Sequence, residues 1–466
     1  MCPADEAHER LHIAPNANMQ ETDPLTGDSD PAWLVTMFHR NDAARVWKPS
    51  DIRNVNALAN SVEHLLTVVL PRRFPAFPGG PCPPEAAAWQ TPGDQSSIGW
   101  EGVPGEPPFI RTAGFVRDRL RQIRQELTMQ QPSFSLAAKE VAVDLLEQCT
   151  RFHIMVEHRC CELGLRNLPP DDAKFDSRMN MQMYTQSLSG LQQLYEELRH
   201  QGVQCANEAE FQAYYLVSSA DPDVLFGRLA NLPPTVLTAP SMQIALRVLA
   251  AIQGGDFGAF FRELKRASYL MACLMHKHFE TVRFRAIVAI NRAFAPRPDS
   301  RVELPLADLE RMLCLEDADE AKAIADFYGL HLSPSGSAVL LTGTSRISAK
   351  TDAEGGPIMP PLVCSRSIIE AKRHGIPVCQ LMMSPQPPPR LLELAGGAPA
   401  VAAATLPSPR AVLRSVAAKQ AAANTAGGVP ARPFAAIPAV LPPALPPAKG
   451  GGSATPAGAA AARAAA

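Results

Sequence analysis

From residue 111 to about 295, apolar positions recur at helical spacing in one segment after another. A basic segment containing Arg117, Arg119, Arg121 and Arg124 leads into a helix that begins near Leu136 and runs through residues 147–154. Leu188, Leu191, Leu194, Tyr195 and Leu198 form one stripe, closed by Gly202. A helix over 206–215 follows, with Asn207 as a plausible cap, and continues to Leu216. Met242, Ala245, Leu246, Leu249 and Ile252 make another stripe, stopped by Gly254-Gly255. Further helices are expected over 257–264, around Tyr269, Cys273 and Phe279, and over 282–294. Upstream, Ile52, Val55, Leu58, Val62, Leu65, Leu66 and Val69 predict a helix within 51–70. Helices joined by short loops, repeating at roughly 30 to 40 residues, predict a mainly α fold. The expected architecture is an α-solenoid of paired helices over 111–300.

After Pro296 and Pro298 the pattern changes. Leu304-Pro305-Leu306 leads into Leu309, Met312 and Leu313, and a second helix runs from about Asp319 to Tyr328, ending at Gly329. Leu330-His331-Leu332, a turn at 334–336 and residues 338–341 then read as a short hairpin. Two helices followed by a hairpin outline a winged helix over 301–345, capping the solenoid. Asp319, Glu320 and Asp326 make its second helix acidic, which opposes major-groove reading and favours protein docking. The candidate docking residues are Leu306, Leu309, Met312, Leu313 and Leu340. Residues 346–385 carry no clear pattern and read as an uncertain extension.

Composition sets the remaining boundaries. Residues 71–110 hold ten prolines and six glycines and read as a disordered insertion after a partly helical segment over 1–70. In 386–466, Ala, Pro and Gly supply 50 of 81 residues, too little apolar variety to fix a fold, so a disordered Pro/Ala-rich tail is expected. That tail carries seven basic side chains and one acidic one, whereas residues 1–385 have a net charge of −8. An acidic body joined to a basic tail suits contact with polyanions or acidic partners. The ten cysteines fall mostly within apolar patterns and read as reduced thiols. No signal peptide is evident, and no apolar run approaches the roughly 18 residues of a membrane span.

No phosphate loop, HExxH, GxSxG or dinucleotide fingerprint is present. Cys160-Cys161 with His153 and His158 is the strongest metal candidate, but adjacent cysteines on a helix point about 100° apart, and no paired CxxC accompanies them. Cys149 and His153 stand at i and i+4 without a third activating group, so a structural role is favoured. His276 repeats with Tyr269 and Cys273 at helical spacing and reads as a core histidine. The expectation is a non-enzyme without metal or cofactor. Charge clusters say more: Arg262, Lys265, Arg266, Lys277, Arg283, Arg285 and Arg292 stand against only Glu263 and Glu280. Such a cluster is a candidate phosphate-binding face, by Coulomb attraction and counterion release. Arg117, Arg121 and Arg124 share a second helical face, suited to phosphate, to a partner's carboxylates, or to Asp144 and Glu147 on the next helix.

Ordered strings carry a resemblance. They begin with Arg117-Asp118-Arg119-Leu120-Arg121-Gln122-Ile123-Arg124-Gln125-Glu126-Leu127-Thr128 and Gln130-Gln131. Glu147-Gln148-Cys149-Thr150-Arg151-Phe152-His153-Ile154 and Phe175-Asp176-Ser177-Arg178-Met179-Asn180 follow. Cys205, Asn207-Glu208-Ala209-Glu210-Phe211, Tyr214, Ala267-Ser268-Tyr269-Leu270 and Ala272-Cys273-Leu274 complete the helical part. Together with Met1-Cys2-Pro3 and Glu6, they resemble the GANP-type family of nuclear mRNA-export scaffolds over 1–70 and about 111–345. The resemblance implies a PCI/TPR-like helical-repeat domain capped by a winged helix, in a subunit of a TREX-type complex with a PCI-domain protein and a small acidic DSS/Sem-type protein as partners. RNA, centrin and nuclear-pore proteins are the further candidates. It implies a nuclear location, at the envelope or pore side, with the cytoplasm also open. The family's Cys-Pro element normally follows other residues, so Met1 need not be the natural start. This chain has no long amphipathic helix of the centrin-recruiting kind and no Phe-Gly repeats. A centrosome or spindle adaptor without RNA contact is therefore the alternative.

Overall fold

In the computed structural model, the described residues are 1–71 (apart from 17, 24–27 and 39–46), 109–161, 175–219, 227–344 and, with short breaks, 347–383. The readings of 71–110 and 386–466 thus lie outside the described residues, as does Cys82. What is described is mainly helical. None of these helices is long and apolar enough to cross a membrane.

The helices are α1 (Ala4–His8), α2 (Val55–His64), α3 (Phe109–Gln130), α4 (Leu136–Cys160), α5 (Ser177–His200), α6 (Glu208–Ser219) and α7 (Pro234–Leu237). They continue as α8 (Pro240–Gly254), α9 (Phe257–Arg266), α10 (Tyr269–His276), α11 (Phe279–Phe294), α12 (Leu306–Leu313), α13 (Ala318–Phe327) and α14 (Val378–Met383). Their starts follow capping chemistry. Asn54, Ser135, Asp176, Asp256 and Asp317 each accept a hydrogen bond from a first-turn amide. Gly255 closes α8 in the left-handed region at φ 69°, which a Cβ would strain. Asn207 precedes α6, but its side chain serves another helix, donating to Glu147 Oε2 at 2.6 Å.

One large core gathers α2 to α6 and α8 to α10 around α4, and residues 362–383 pack onto it. α4 packs most extensively against α5, α6 against α8, and α8 against α9. A second core joins Ala286, Ile287 and Ile290 of α11 to α12, α13 and a three-stranded sheet. That sheet has the order β1-β3-β2, with β1 (Arg301–Pro305), β2 (His331–Leu332) and β3 (Ala338–Thr342) all antiparallel. The hairpin β2–β3 matches the sequence pattern, whereas β1 was not anticipated: five residues with Arg, Glu and a terminal Pro carry little strand signal. Gly343 follows β3 because an added Cβ would fall 1.7 Å from the Arg297 carbonyl oxygen.

Buried ion pairs carry the segments that are distant in sequence. Glu21, fully buried, takes both Arg10 and Arg119. Arg53 donates through its backbone N, Nε and Nη2 to Glu126, at 2.9, 3.1 and 2.6 Å, across 73 residues. The stretch without a clear pattern proves ordered in part. Residues 362–374 and α14 form a strap whose Glu370 takes Arg159 at 2.9 Å, Arg373 at 3.0 Å and the Tyr269 hydroxyl at 2.8 Å. These cations hold the Glu370 carboxyl below its ordinary range although burial opposes it. Replacing Glu370 by Ala should therefore remove the buried anion that Arg159 and Arg373 share and cost about 3–5 kcal/mol. Urea unfolding of the variant, followed by circular dichroism, measures this; a loss under about 1 kcal/mol would mean that the strap does not hold the core.

Candidate functional site

The sequence-flagged run on α4 is a hub. Every residue from Leu145 to Cys160 is buried except Gln148 and Glu157, because α4 is covered by α2, α3, α5, α10 and the strap. A polar group in such a place must find a partner or forfeit its hydration. Glu147 accepts from the Tyr195 hydroxyl at 2.7 Å and from Asn207. Arg151 reaches Glu210 at 3.0 and 3.1 Å, and its guanidinium lies 4.9 Å from the Phe211 ring. It also donates to the Met382 carbonyl in the strap at 3.4 Å. His153 bonds Asn180 Oδ1 at 2.8 Å, turned toward α5 and away from His158.

The cysteine and histidine candidates regroup. His276 Nε2 lies 2.9 Å from the Val363 carbonyl, which can only accept, so that nitrogen bears the proton. Burial keeps both His276 and His158 neutral, His158 being pushed down to about 3. His276 Nδ1 is then a bare acceptor, and His158 Nδ1 donates to it at 3.1 Å. His158 Nε2 in turn presents a lone pair to the Cys364 thiol at 3.5 Å. His158, Cys364 and Glu370 offer metal-type ligand atoms within 4.8 Å of one another. Arg159 and Arg373 already neutralise Glu370, however, and a divalent cation there would face both guanidiniums. The histidine core reading of His276 thus stands, while Cys160 and Cys161 are not the residues that join His158. Cys149 is fully buried in apolar surroundings and its thiol is pushed up to about 12, the reverse of an activated nucleophile.

The basic cluster divides. Arg262, Lys265 and Arg266 on α9 and Arg292 on α11 are exposed. Glu263 is turned inward and meets Arg247 at 3.0 Å and Arg266 at 2.9 Å. Three others make internal bonds, and of these only Arg283 is buried, while Lys277 and Arg285 are half-buried. Lys277 donates to the Ser218 carbonyl at 3.0 Å, and Arg285 donates to the Ile252 carbonyl at 3.0 Å. Arg283 is 6% exposed; it donates to the carbonyls of Leu313 (3.1 Å) and Cys314 (2.5 Å) and pairs with Glu320 at 2.8 Å. It ties α11 to α13 and is unavailable to phosphate. Among the arginines of the second face, Arg117 is half-buried beside Asp118, Arg121 lies over the Phe38 ring at 3.8 Å, and Arg124 donates to Met183 O and Gln186 Oε1. Neither Asp144 nor Glu147 takes them; Glu147 is spent on Arg151.

The docking candidates divide too. Leu306, Leu309 and Leu313 are at most 5% exposed and form the second core, so they cannot meet a partner without unfolding it. Amphipathic spacing marked them correctly as an apolar face, but that face closes on α11. Met312 and Leu340 are half-buried, and Leu332 is 37% exposed. Arg151, Arg159 and Glu370 were missed as organising residues. A buried guanidinium demands a carboxylate, but the separation of 211 residues between Arg159 and Glu370 hides the pairing.

Residues 102–334, half of the chain, match the SAC3/GANP family. The chain belongs to that family. The chain is 35% identical over 230 residues to Protein xmas of Drosophila melanogaster, covering 48% of this chain and 10% of that protein. It is 27% identical over 356 residues to SAC3 family protein 1 of Schizosaccharomyces pombe, covering 72% and 30%. SAC3 family protein B of Arabidopsis thaliana is 30% identical over 232 residues, covering 48% and 13%. The chain thus spans between a tenth and a third of the length of these relatives. The family match includes both α4 and the Arg283–Glu320 pair.

Arg283→Ala should leave the Glu320 carboxylate without its cation, held only by the Glu316 backbone N–H, and cost about 3–5 kcal/mol; a matched loss of thermal stability checks it, and a stable variant would show the pair to be solvated. Acid should also be damaging. His153 and His158 are held down to about 3 and His278 to about 4 by burial, whereas unfolded histidines titrate at their ordinary value. The unfolded state therefore binds more protons below about pH 6.5, and stability, complete above about pH 7, falls as pH drops. The slope should approach roughly 1.4 kcal/mol per pH unit for each such imidazole. Glu147, whose carboxyl burial pushes up to about 7, acts in the opposite direction over this window but is outnumbered by the three imidazoles. Urea midpoints at about pH 7.5 and about 5.5 test this, and equal values would show that the imidazoles do not dominate.

Proposed function

We propose that this chain is a non-enzymatic scaffold subunit of a nuclear mRNA-export assembly of the TREX type. The observation that carries the reading is membership of the SAC3/GANP family over 102–334, a stretch that includes the α4 hub and runs into β2. The successive pairing of α4 with α5, α6 with α8 and α8 with α9 supports a PCI-like solenoid. The element order β1-α12-α13-β2-β3, with β3 central in its sheet, supports a winged helix at its end. In this reading the winged helix docks a PCI-domain partner, itself carrying a small acidic DSS/Sem-type subunit, and the protein acts in the nucleus at the envelope or pore side. Met312, Leu332 and Leu340 are among the apolar positions of this region that are not fully buried. Exposed Asp319 and Asp326 on α13 repel phosphate and favour a protein partner there. RNA contact then falls to Arg262, Lys265, Arg266 and Arg292.

The full chain should co-purify at fixed stoichiometry with the PCI-domain protein and its acidic subunit from the same organism. Leu340→Asp combined with Met312→Asp should abolish the complex while leaving the thermal transition in place. Absence of any complex would sink the scaffold reading and favour a centrosome or spindle adaptor. Reversing Arg262, Lys265 and Arg266 to Glu should weaken uridine-oligomer binding and flatten its salt slope by roughly two to three; an unchanged slope would remove α9 from the RNA contact.

A further inference from the structure

HExxH, which the sequence reading put as absent, does occur, at His8-Glu9-Arg10-Leu11-His12. α1 ends at His8, and a π-helical turn over Glu9–Ile13 follows, closed by the Ala14 N–H on the Glu9 carbonyl at 2.9 Å. Such turns are rare and concentrate at functional sites. Their spacing of four brings His8 and His12 onto one face, where both are exposed. The ring centres stand 5.0 Å apart with the planes at 47°. Two imidazoles on one tetrahedral zinc, with Zn–N near 2.0–2.1 Å, hold their ring centres about 5 Å apart. The ring nitrogens have no hydrogen-bond or ion-pair partner among the described residues. The opposite face of the same turn is fixed. Arg10 is 5% exposed, pairs with Glu21, and donates to the carbonyls of Val35 at 3.1 Å and Asn16 at 3.0 Å. The histidines thus stand on a backbone already held, which leaves a ligand little to order. Exposed Asp5 and Glu9 add negative charge to the same two turns.

We propose that His8 and His12 chelate a divalent transition ion of the zinc class. Each imidazole gives one nitrogen lone pair, and water fills the positions that remain. Ions of this class take imidazole, whereas calcium and magnesium take oxygen. HExxH in a peptidase needs a third protein ligand, so that its Glu can act on the metal-bound water. Among the described residues no third His, Cys, Asp or Glu atom converges with these two. The pair is therefore a two-point clip with open coordination positions, and not a hydrolytic centre. It differs electrostatically from His158, Cys364 and Glu370. That group lies beside the guanidiniums of Arg159 and Arg373, whereas Arg10 is already paired with Glu21 and Glu6. Glu21 also takes Arg119 of α3, so an ion that clamps the turn carrying Arg10 should steady the attachment of the N-terminal segment.

The test titrates zinc into the full chain, carrying no polyhistidine tag and stripped with a chelator, in competition with a chromophoric zinc indicator. The parent is compared with His8→Ala, His12→Ala and the double variant. Both side chains are exposed, so every variant should keep the metal-free thermal transition. The parent should hold an ion that each single variant binds at least about ten-fold more weakly. Because chelation needs both rings, either single change should lose nearly as much as the double. Zinc, and not magnesium, should raise the parent's thermal transition. In the unaltered chain, zinc should also slow the modification of His8 and His12 by diethylpyrocarbonate, read by mass spectrometry. Equal zinc affinity in the parent and the double variant, or modification rates unchanged by saturating zinc, would overturn the proposal. So would single losses that merely add, which would make the two rings independent sites.

Discussion

The fold depends on the need to satisfy polar side chains on a helix that is buried nearly all round. From Leu145 onward, α4 has almost no solvent face, yet it carries Glu147, Arg151, His153, His158 and Arg159. Each calls in a different part of the chain: Tyr195 and Asn180 from α5, Glu210 from α6, His276 from α10, and Glu370 from the strap. Hydrophobic burial would favour many packings of these amphipathic helices, all similar in area. The ionic and hydrogen-bonded partners reject most of them, because any shift by a turn strands a charge in a low-dielectric interior.

The family string at 147–154 therefore marks an organising centre rather than a reaction centre. Its residue types look chemical because polar side chains inside proteins are uncommon, and catalysis is one of two reasons to keep them there. The other reason applies here. Cys149 is pushed up, His153 is pushed down, and both are sealed. Specificity of packing is the property that these groups supply.

Much of the architecture was legible from spacing. The stripes over 188–198 and 242–252 became α5 and α8, and Gly202 and Gly255 stand at their ends in the left-handed region. Local signals of this kind depend on residues a few positions apart. What stayed hidden was non-local. Arg283 and Arg262 look alike in a charge count, but one is spent on Glu320 and two carbonyls while the other faces water. Leu309 and Leu340 look alike as apolar positions, but only the first closes on Ala286 and Ile287 of α11. The strap was unreadable because its meaning lies in partners more than 200 residues earlier. Charge clusters and apolar stripes thus report which residues are special, and tertiary pairing decides which way they face.

The strap also orders events in time. During synthesis α4 emerges long before Glu370 and Met382, so Arg151 and Arg159 must wait for the last of their partners. Domains tend to acquire structure from the N-terminus as the chain is made. Here the helices can gather early, but the surface of the core that residues 362–383 cover stays open until they arrive. Until then the Arg159–Glu370 pair and the bond from Arg151 to the Met382 carbonyl are missing from the interior. A chain interrupted before the strap would be left in that unfinished state even though nearly all of its helices were present.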